Sequence, residues 1–497
     1  MHYRFLIIIA ALCLFLNTAP AWTGDDGVPL SGFFALYAHG SAQEVSQALL
    51  QDNNPNQTDP AHGDITPLQL AGGNNPDPEV ITLLLQAGAH IDVQGKTYKR
   101  TALHLAVLFN SNPVPIIKAL SAGQPDFSLE DSRHNTALSY AIAGNLSYAI
   151  AGKLEGNAFS GIPRDEVILA LLESGAGLYD GPPPNAGFNY NAMAAYLGAF
   201  HRNSRAPSYA VLEAMLKAGA DVNALTPKNA GQEGTILNMA VAYNNGQPRL
   251  IKLLLDNGAD PNKPDEEMAT PLLVAARNQD LAAIYELLAA GALVNIANQR
   301  GNTPLHEAIL WNDGTRPENL KDVVELLLQT GADANASNHF GQTPLHLFPE
   351  FIPSYIGHEQ ALALQPVIRL LLDAGADINA PDNNGYTPLF SLTGRLNFPI
   401  SILRLLVMMG ADINARNING NTPLLLYSHP LSIMETQGEI KSAHMQQSIL
   451  DHIEVFLELG ADGAIRNKDD MRAIDYIGPH LKDALADRPW SYKLLTN

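Results

Sequence analysis

The chain has 497 residues, 46% of them hydrophobic and 16% charged, which supplies enough apolar material for a large core and excludes a disordered chain. Its 39 Gly and 33 Pro fall short of a collagen-like or low-complexity composition. Lys+Arg 30 against Asp+Glu 50 leaves a net charge of −20, which argues against a nucleic-acid or anionic-membrane partner, since phosphate binding needs a basic surface; only a local basic patch escapes that argument.

The first residues read as an address. Met1–Arg4 carries a positive charge, Phe5–Leu16 is an unbroken apolar run of 12 residues, and small residues follow up to Ala21, just before Trp22. This is the pattern of a secretory signal peptide over 1–21, cleaved before Trp22. A run of 12 is well short of the roughly 20 residues that span hydrocarbon. The only cysteine, Cys13, lies inside the run and follows Leu12 rather than a small residue, so no lipid anchor is expected. The mature chain then has no thiol for disulfides or thiolate metal sites. The expected location is the periplasm or the medium, with no stable membrane insertion after cleavage.

Two short elements recur through the rest. One is Thr-Pro-Leu, at Thr66, Thr270, Thr303, Thr343, Thr387 and Thr422, with looser copies at Thr101, Thr136 and Thr235. Thr supplies an N-cap oxygen, Pro at the first helical position has no amide to waste, and Leu opens the buried face. The other is an apolar stretch ending in Gly-Ala, often followed by Asp-x-Asn, as in Leu253–Asn262, Leu326–Asn335 and Leu370–Asn379. The closing glycines stand at 88, 123, 175, 219, 258, 291, 331, 375, 410 and 460. Glycine there suits the left-handed residue that ends a helix. Between the two elements lie two helix-periodic segments, and polar turns such as Asn298–Gly301 and Asp382–Gly385 join one unit to the next. A single helix pair cannot cover its own apolar faces, so neighbours must stack.

These residues resemble the ankyrin repeat, with its TPLH start, GADxN end and period of about 33 residues. The resemblance implies an all-α solenoid of stacked helix-turn-helix pairs with polar finger loops. About ten repeats are expected over 63–466, an N-terminal capping pair over 22–62 and a C-terminal cap over 467–497, whose apolar positions include Met471, Ile474, Leu481 and Leu485. The third repeat carries a tandem duplication, Leu138–Asn145 and Leu146–Lys153. Eight extra residues add about 2.2 helical turns, so either an overlong helix or a looped-out segment is expected, with 139–205 as the weakest joint.

The turn between the two helices of a repeat is enlarged in several copies. The seventh has Trp311–Asn319; the eighth runs through Phe348, Phe351, Tyr355 and His358; the ninth has Arg395–Pro399; the tenth runs from Tyr427 to about Gln447. Aromatics there could contact a partner or pack onto the repeat ends, and both readings stand. The resemblance further implies binding by the concave face and finger tips. That singles out Gln299, Arg300, His339, Phe340, Asn383, Asn384, Tyr386, Ile418 and Asn419 on the fingers, and Tyr243, Arg277, Asn278 and Trp311 at helix ends. The partner-binding candidates are Tyr243, Arg277, Arg300, Trp311, Phe340, Tyr386, Phe351 and Tyr355.

Chemistry is poorly supported. His104, His306 and His346 occupy one repeat position, for which the resemblance implies structural hydrogen bonds. Asp260, Asp333, Asp377 and Asp412 recur as turn residues without calcium-loop spacing. No nucleophile-elbow, zinc-protease, phosphate-loop or dinucleotide motif is present. Asn56, Asn145 and Asn335 fit the glycosylation pattern. The reading is a non-enzymatic exported scaffold for one or more proteins, monomeric and without catalytic residues, cofactor or metal. Two alternatives remain. One is a secreted, host-directed effector using the same surfaces. The other is an enzyme whose groups come from the insertions, among them Glu350, His358, Glu359, His429, Glu435 and His444.

Overall fold

The computed structural model describes residues 32–51, 54–143, 164–178, 192–202, 206–225, 234–242, 248–310, 317–350, 364–394, 398–440 and 442–496. Among these the secondary structure is helical, with no strand and two isolated antiparallel bridges, Asp59 with Ile65 and Leu225 with Thr235. The all-α repeat fold expected from the sequence is the fold observed. No helix among the described residues is long and apolar enough to cross a membrane. The segment expected to be a signal peptide and the second copy of the tandem duplication lie outside the described residues, as do most of the insertions of repeats seven and eight. The chain divides into two compact units, Met1–Tyr243 and Asn244–Asn497.

The first unit begins with the helix pair α1 (Gly32–His39) and α2 (Ala42–Leu50), followed by α3 (Pro67–Asn74), α4 (Pro78–Gln86), α5 (Ala102–Phe109), α6 (Pro113–Ser121), α7 (Ala137–Ala143), α8 (Asp165–Glu173), α9 (Ala192–Arg202), α10 (Tyr209–Lys217) and α11 (Ile236–Ala242). First helices stack on first helices, α1 on α3, α3 on α5, α5 on α7, and second helices stack likewise, α4 on α6 and α6 on α8. Close stacking of α3 and α5 depends on Gly72, where a Cβ would stand 2.8 Å from the Ala102 carbonyl oxygen. Phe34, Ile65, Leu70 and Leu105 form a core at this joint, each such side chain contributing roughly 1.5–3 kcal/mol by leaving water. Between helix layers, buried Asn110 donates from Nδ2 to the carbonyls of Gly72 and Asn75, both at 2.8 Å.

The second unit contains α12 (Pro248–Asp256), α13 (Pro271–Arg277), α14 (Leu281–Ala289), α15 (Pro304–Leu310), α16 (Pro317–Gln329), α17 (Pro344–Glu350), α18 (Gln365–Asp373), α19 (Ile400–Met408), α20 (Pro423–Ser428), α21 (Leu431–Thr436), α22 (Ala443–Glu458), α23 (Pro479–Ala486) and α24 (Pro489–Thr496). Helix α13 packs on α15 and α15 on α17, while α12 packs on α14, α14 on α16 and α16 on α18. Helix starts follow the cap chemistry: the Oγ1 atoms of Thr66, Thr270 and Thr422 accept from the amides three residues on. Stacking of unpartnered apolar stripes, rather than any single helix, holds such an array together.

Three features depart from the sequence pattern. Gly123 is not left-handed; the residue with positive φ at that helix end is Gln124 (φ 55°), and a Cβ at Gly123 would stand 2.7 Å from the Ile91 side chain. The segment Pro388–Leu392 is a 3-10 helix rather than an α-helix. Last, the tenth insertion is largely helical: α21 lies inside it, and α22 begins at Ala443. At the C-terminus α24 extends beyond the apolar pattern ending at Leu485, burying Ser491 and Leu495, while Arg488 binds Glu454 at 2.6 Å and Asp451 at 3.1 Å on α22.

Candidate functional site

Most of the described fingers are built by one local rule, the finger that begins at Gly95 being different. An Asn or Asp opens the turn at 131, 265, 298, 338, 382, 417 and 467, and its side-chain oxygen accepts from the backbone amides two and four residues on. Asn338 Oδ1 takes Phe340 N at 2.9 Å and Gln342 N at 3.0 Å. Asp382 does the same for Asn384 and Tyr386, and Asn417 for Asn419 and Asn421. The residue three positions after the opener has positive φ. It is glycine at 301, 341, 385 and 420, but His134, Met268 and Asp470 hold the same conformation with side chains. At Gly341 a Cβ would stand 2.6 Å from Asn383 N, so glycine is what lets the next finger approach.

Successive fingers of the second unit are joined by backbone bonds. Gln299 N donates to Glu267 O, His339 N to Arg300 O, Asn383 N to Phe340 O, Ile418 N to Asn384 O and Lys468 N to Asn419 O, at 3.0 to 3.1 Å. The tips are therefore fixed against one another, and Phe340 (61% exposed) and Ile418 (55% exposed) project from this ladder into solvent. From Gln299 to Asn419 the tip residues that donate or project, Gln299, Arg300, His339, Phe340, Asn383, Asn384, Ile418 and Asn419, include no carboxylate, in a chain with 50 acidic residues.

The recurring histidine couples helix start to finger. His306 Nδ1 lies 2.9 Å from Thr303 Oγ1 and 3.2 Å from Thr303 N, and its Nε2 lies 3.0 Å from the carbonyl of Gln342 on the next finger. His346 repeats this with Thr343 and Tyr386, and His104 with Thr101 and Asn135. With a backbone amide at Nδ1 and a carbonyl at Nε2, the ring is the neutral Nε2–H tautomer. Burial lowers the pKa of all three, against a smaller upward contribution from the carbonyl bond. Gln69 occupies the same position in the first repeat: its Oε1 accepts from Thr66 N and its Nε2 donates to Arg100 O at 2.7 Å. The ninth repeat has Phe390 there; Tyr386 stacks on it at 5.1 Å, and the buried Thr387 Oγ1 is left without a hydrogen bond.

The asparagine of the GADxN ending forms a second ladder, a role not expected from the sequence. Asn379 Nδ2 donates to Gly410 O at 3.1 Å, and its Oδ1 accepts from Asp412 N at 2.7 Å. Asn295, Asn335 and Asn414 make the same pair of bonds to the repeat that follows each. Asn56 joins the set in the first unit. The recurrence of Asn two residues after Asp, at Asn335, Asn379 and Asn414, was the available signal, whereas Asn295 follows Leu293 and Asn56 follows Asn54. Because the amide nitrogens of Asn56 and Asn335 are engaged, these two glycosylation patterns sit on structural side chains.

The sequence-derived candidates fare unevenly. Tyr243, Trp311, Phe351 and Tyr355 lie outside the described residues. Phe340 and Arg300 are exposed on adjacent tips. Arg277 is engaged: its Nε lies 2.8 Å from Oε2 of buried Glu307, whose Oε1 also accepts from Asn298 and Asn302. Tyr386 is half-buried against Phe390. Among the inserted aromatics, Phe348 and Phe398 are buried. Phe398 sits in a cluster with Tyr427, His452 and Phe456, at 4.6 to 6.0 Å between ring centroids, and its carbonyl lies 2.8 Å from His452 Nε2. Of the acid–base groups on the insertions, Glu435 accepts from the His480 amide at the start of α23, and His429 lies against Tyr476 at 4.7 Å. His358 and Glu359 are outside the described residues. Among the described residues no three His, Cys, Asp or Glu side chains are grouped to hold a metal ion.

Stacked helix pairs with laddered fingers define a repeat array made for surface contacts. Comparison with known proteins agrees. Residues 237–338 and 315–417 match the family model for ankyrin repeats, described as three copies. Human ankyrin repeat and SOCS box protein 6 is 33% identical over 117 residues, 23% of this chain and 27% of that protein. The ankyrin repeat protein YahD of Escherichia coli (strain K12) is 34% identical over 128 residues, 24% of this chain and 57% of that one. The potassium channel SKOR of Arabidopsis thaliana is 42% identical over 76 residues, 15% and 9% of the two chains. The chain thus spans about a quarter of the length of the first relative. Between 237 and 417 the chain is similar to ankyrin repeats, and the all-helical stack of helix pairs is consistent with an ankyrin-repeat solenoid.

Proposed function

We propose that the chain is a non-enzymatic scaffold that grips a protein along the finger tips of its second unit, with Phe340 and Ile418 as apolar anchors and Arg300 as a polar contact. The observation that carries this is Phe340. A large apolar side chain, 61% exposed, stands on a backbone fixed by the finger ladder, where it has no core to serve. The histidines at the helix starts are engaged in structural bonds, which supports a binding rather than a catalytic role. The buried Phe348 and Phe398 move the weight away from the insertions and toward the fingers.

We further propose that the protein is exported, through cleavage after Ala21, to the periplasm or beyond. The apolar run Phe5–Leu16 and the cysteine-free remainder support that reading. N-terminal sequencing of the purified protein tests cleavage, and its recovery from periplasm or medium separates a resident scaffold from a host-directed factor. For the site, affinity capture by the parent and by a Phe340→Ala/Ile418→Ala variant is the test. Loss of a captured protein from the variant alone supports the finger row, and identical recovery of every partner removes it.

A further inference from the structure

The first unit carries a second surface of different character. Its fingers at 95–100 and 131–135 are neighbours, joined by Ser132 N to Tyr98 O at 2.8 Å. The run Gly95-Lys96-Thr97-Tyr98-Lys99-Arg100 contains three cations and no acid, and Arg133 stands on the adjoining tip. The guanidinium groups of Arg100 and Arg133 lie over the Tyr98 ring, at 4.9 Å and 6.0 Å from its centroid.

Acids are present here, and each of them faces a basic side chain. Asp131 is fully buried, accepts from Tyr140 Oη at 2.5 Å and faces Arg100 Nε at 3.6 Å. Burial, with the adjacent Asp131 carboxylate, pushes the Tyr140 phenol up to about 12, so it stays a donor. Glu130 (23% exposed) is bound to His134, and Asp64 (38%) faces Lys96. Lys96 itself is 79% exposed, and Lys99 is exposed. A partner approaching these two tips therefore meets the exposed Lys96 and Lys99 beside the half-buried Tyr98, on a chain whose net charge is −20.

We propose that this tyrosine-centred cationic pair of fingers docks an acidic segment of a protein partner. Charge complementarity fixes the class: two neighbouring carboxylates match the exposed Lys96 and Lys99, and Tyr98 supplies the apolar contact between them. A nucleic acid fits less well. It offers a long phosphate track that needs many cations, and the surrounding acidic chain repels the track beyond the patch. The surface shares no residue with the Phe340–Ile418 row and stands or falls without it.

The test uses the purified protein and a short fluorescent peptide of alternating Glu and Gly, read by anisotropy at low and physiological salt. A single-stranded oligonucleotide of similar charge is titrated in parallel. Binding of the peptide, weakened about tenfold or more by Lys96→Glu/Lys99→Glu and by salt, is the expected result. The control Lys252→Glu/Lys321→Glu makes the same charge change on α12 and α16 and is expected to shift affinity less than about twofold. Circular dichroism of each variant establishes that it folds. Absence of peptide binding at low salt, equal loss in the control, or tighter binding of the oligonucleotide than of the peptide each overturns the proposal.

Discussion

His306 on one repeat donates from Nε2 to the carbonyl of Gln342 on the next, 3.0 Å away and 36 residues on in the chain. Protonation would keep that bond but turn Nδ1 from an acceptor of the Thr303 amide into a donor, so the pair of bonds exists only in the neutral ring.

Stability of the second unit is therefore expected to fall as pH drops. Burial lowers the pKa of His306 and His346 in the folded state. In the unfolded chain they regain the ordinary value of about 6.5, so unfolding takes up protons below that pH. The contribution is complete above about pH 7 and is lost on acidification, at up to about 1.4 kcal/mol per histidine per pH unit. Denaturant midpoints near neutral and mildly acid pH measure it. His306→Gln/His346→Gln places at both positions the residue type that Gln69 already uses there, and it is expected to keep the bonds and flatten the slope. An unchanged slope would show that these rings do not titrate as argued.

Asn379→Ala removes both bonds to the following repeat and is expected to cost about 1–2 kcal/mol, with the exposed Asp412 amide partly rehydrated. Asn379→Asp keeps the acceptor but sets a carboxylate against the Gly410 carbonyl, so it should not rescue. Urea titration of the three proteins decides, and a silent Asn379→Ala would reduce this ladder to decoration.

Two glycines with positive φ should respond differently to alanine. Gly375 (φ 89°) has open space where a Cβ would go, so only the left-handed penalty of about 1–2 kcal/mol applies. Gly341 (φ 78°) adds a collision with Asn383 and should cost more. Hydrogen exchange at the Asn383 amide should also quicken, since its bond to Phe340 O is displaced. Equal destabilisation by the two substitutions would mean that finger packing contributes little.

Phe398→Ala is expected to destabilise by about 3–5 kcal/mol, as befits an aromatic 3% exposed in a cluster with Tyr427, His452 and Phe456. Phe340→Ala, by contrast, should change stability by less than about 0.5 kcal/mol. Thermal melts of the pair separate the packed insertion from the exposed tip; a large loss for Phe340→Ala would reassign that residue to the structural core.

Much of the fold was legible because it is written locally and repeatedly. Thr66, Thr270 and Thr422 cap their helices through atoms three residues away, and Asn338 shapes its own finger. Exposure was less legible. Arg277 and Tyr386 occupy positions that look available for binding, yet one meets buried Glu307 and the other Phe390. Their partners depend on side-chain direction and on residues 30 positions away or on a 3-10 turn, which periodicity does not report.

The sequence by itself determined the repeat: short-range capping, turn and helix signals acting within a few residues of one another, multiplied along the chain until neighbours had to stack. Only the tertiary structure decided which polar side chains tie one repeat to the next, which inserted aromatics are buried, and that Arg100 and Asp131 are buried while Lys96 and Lys99 are exposed on the fingers of the first unit. Those outcomes turn on distances between residues 30 to 50 positions apart, and burial and charge order are set by that packing rather than by the residue types alone.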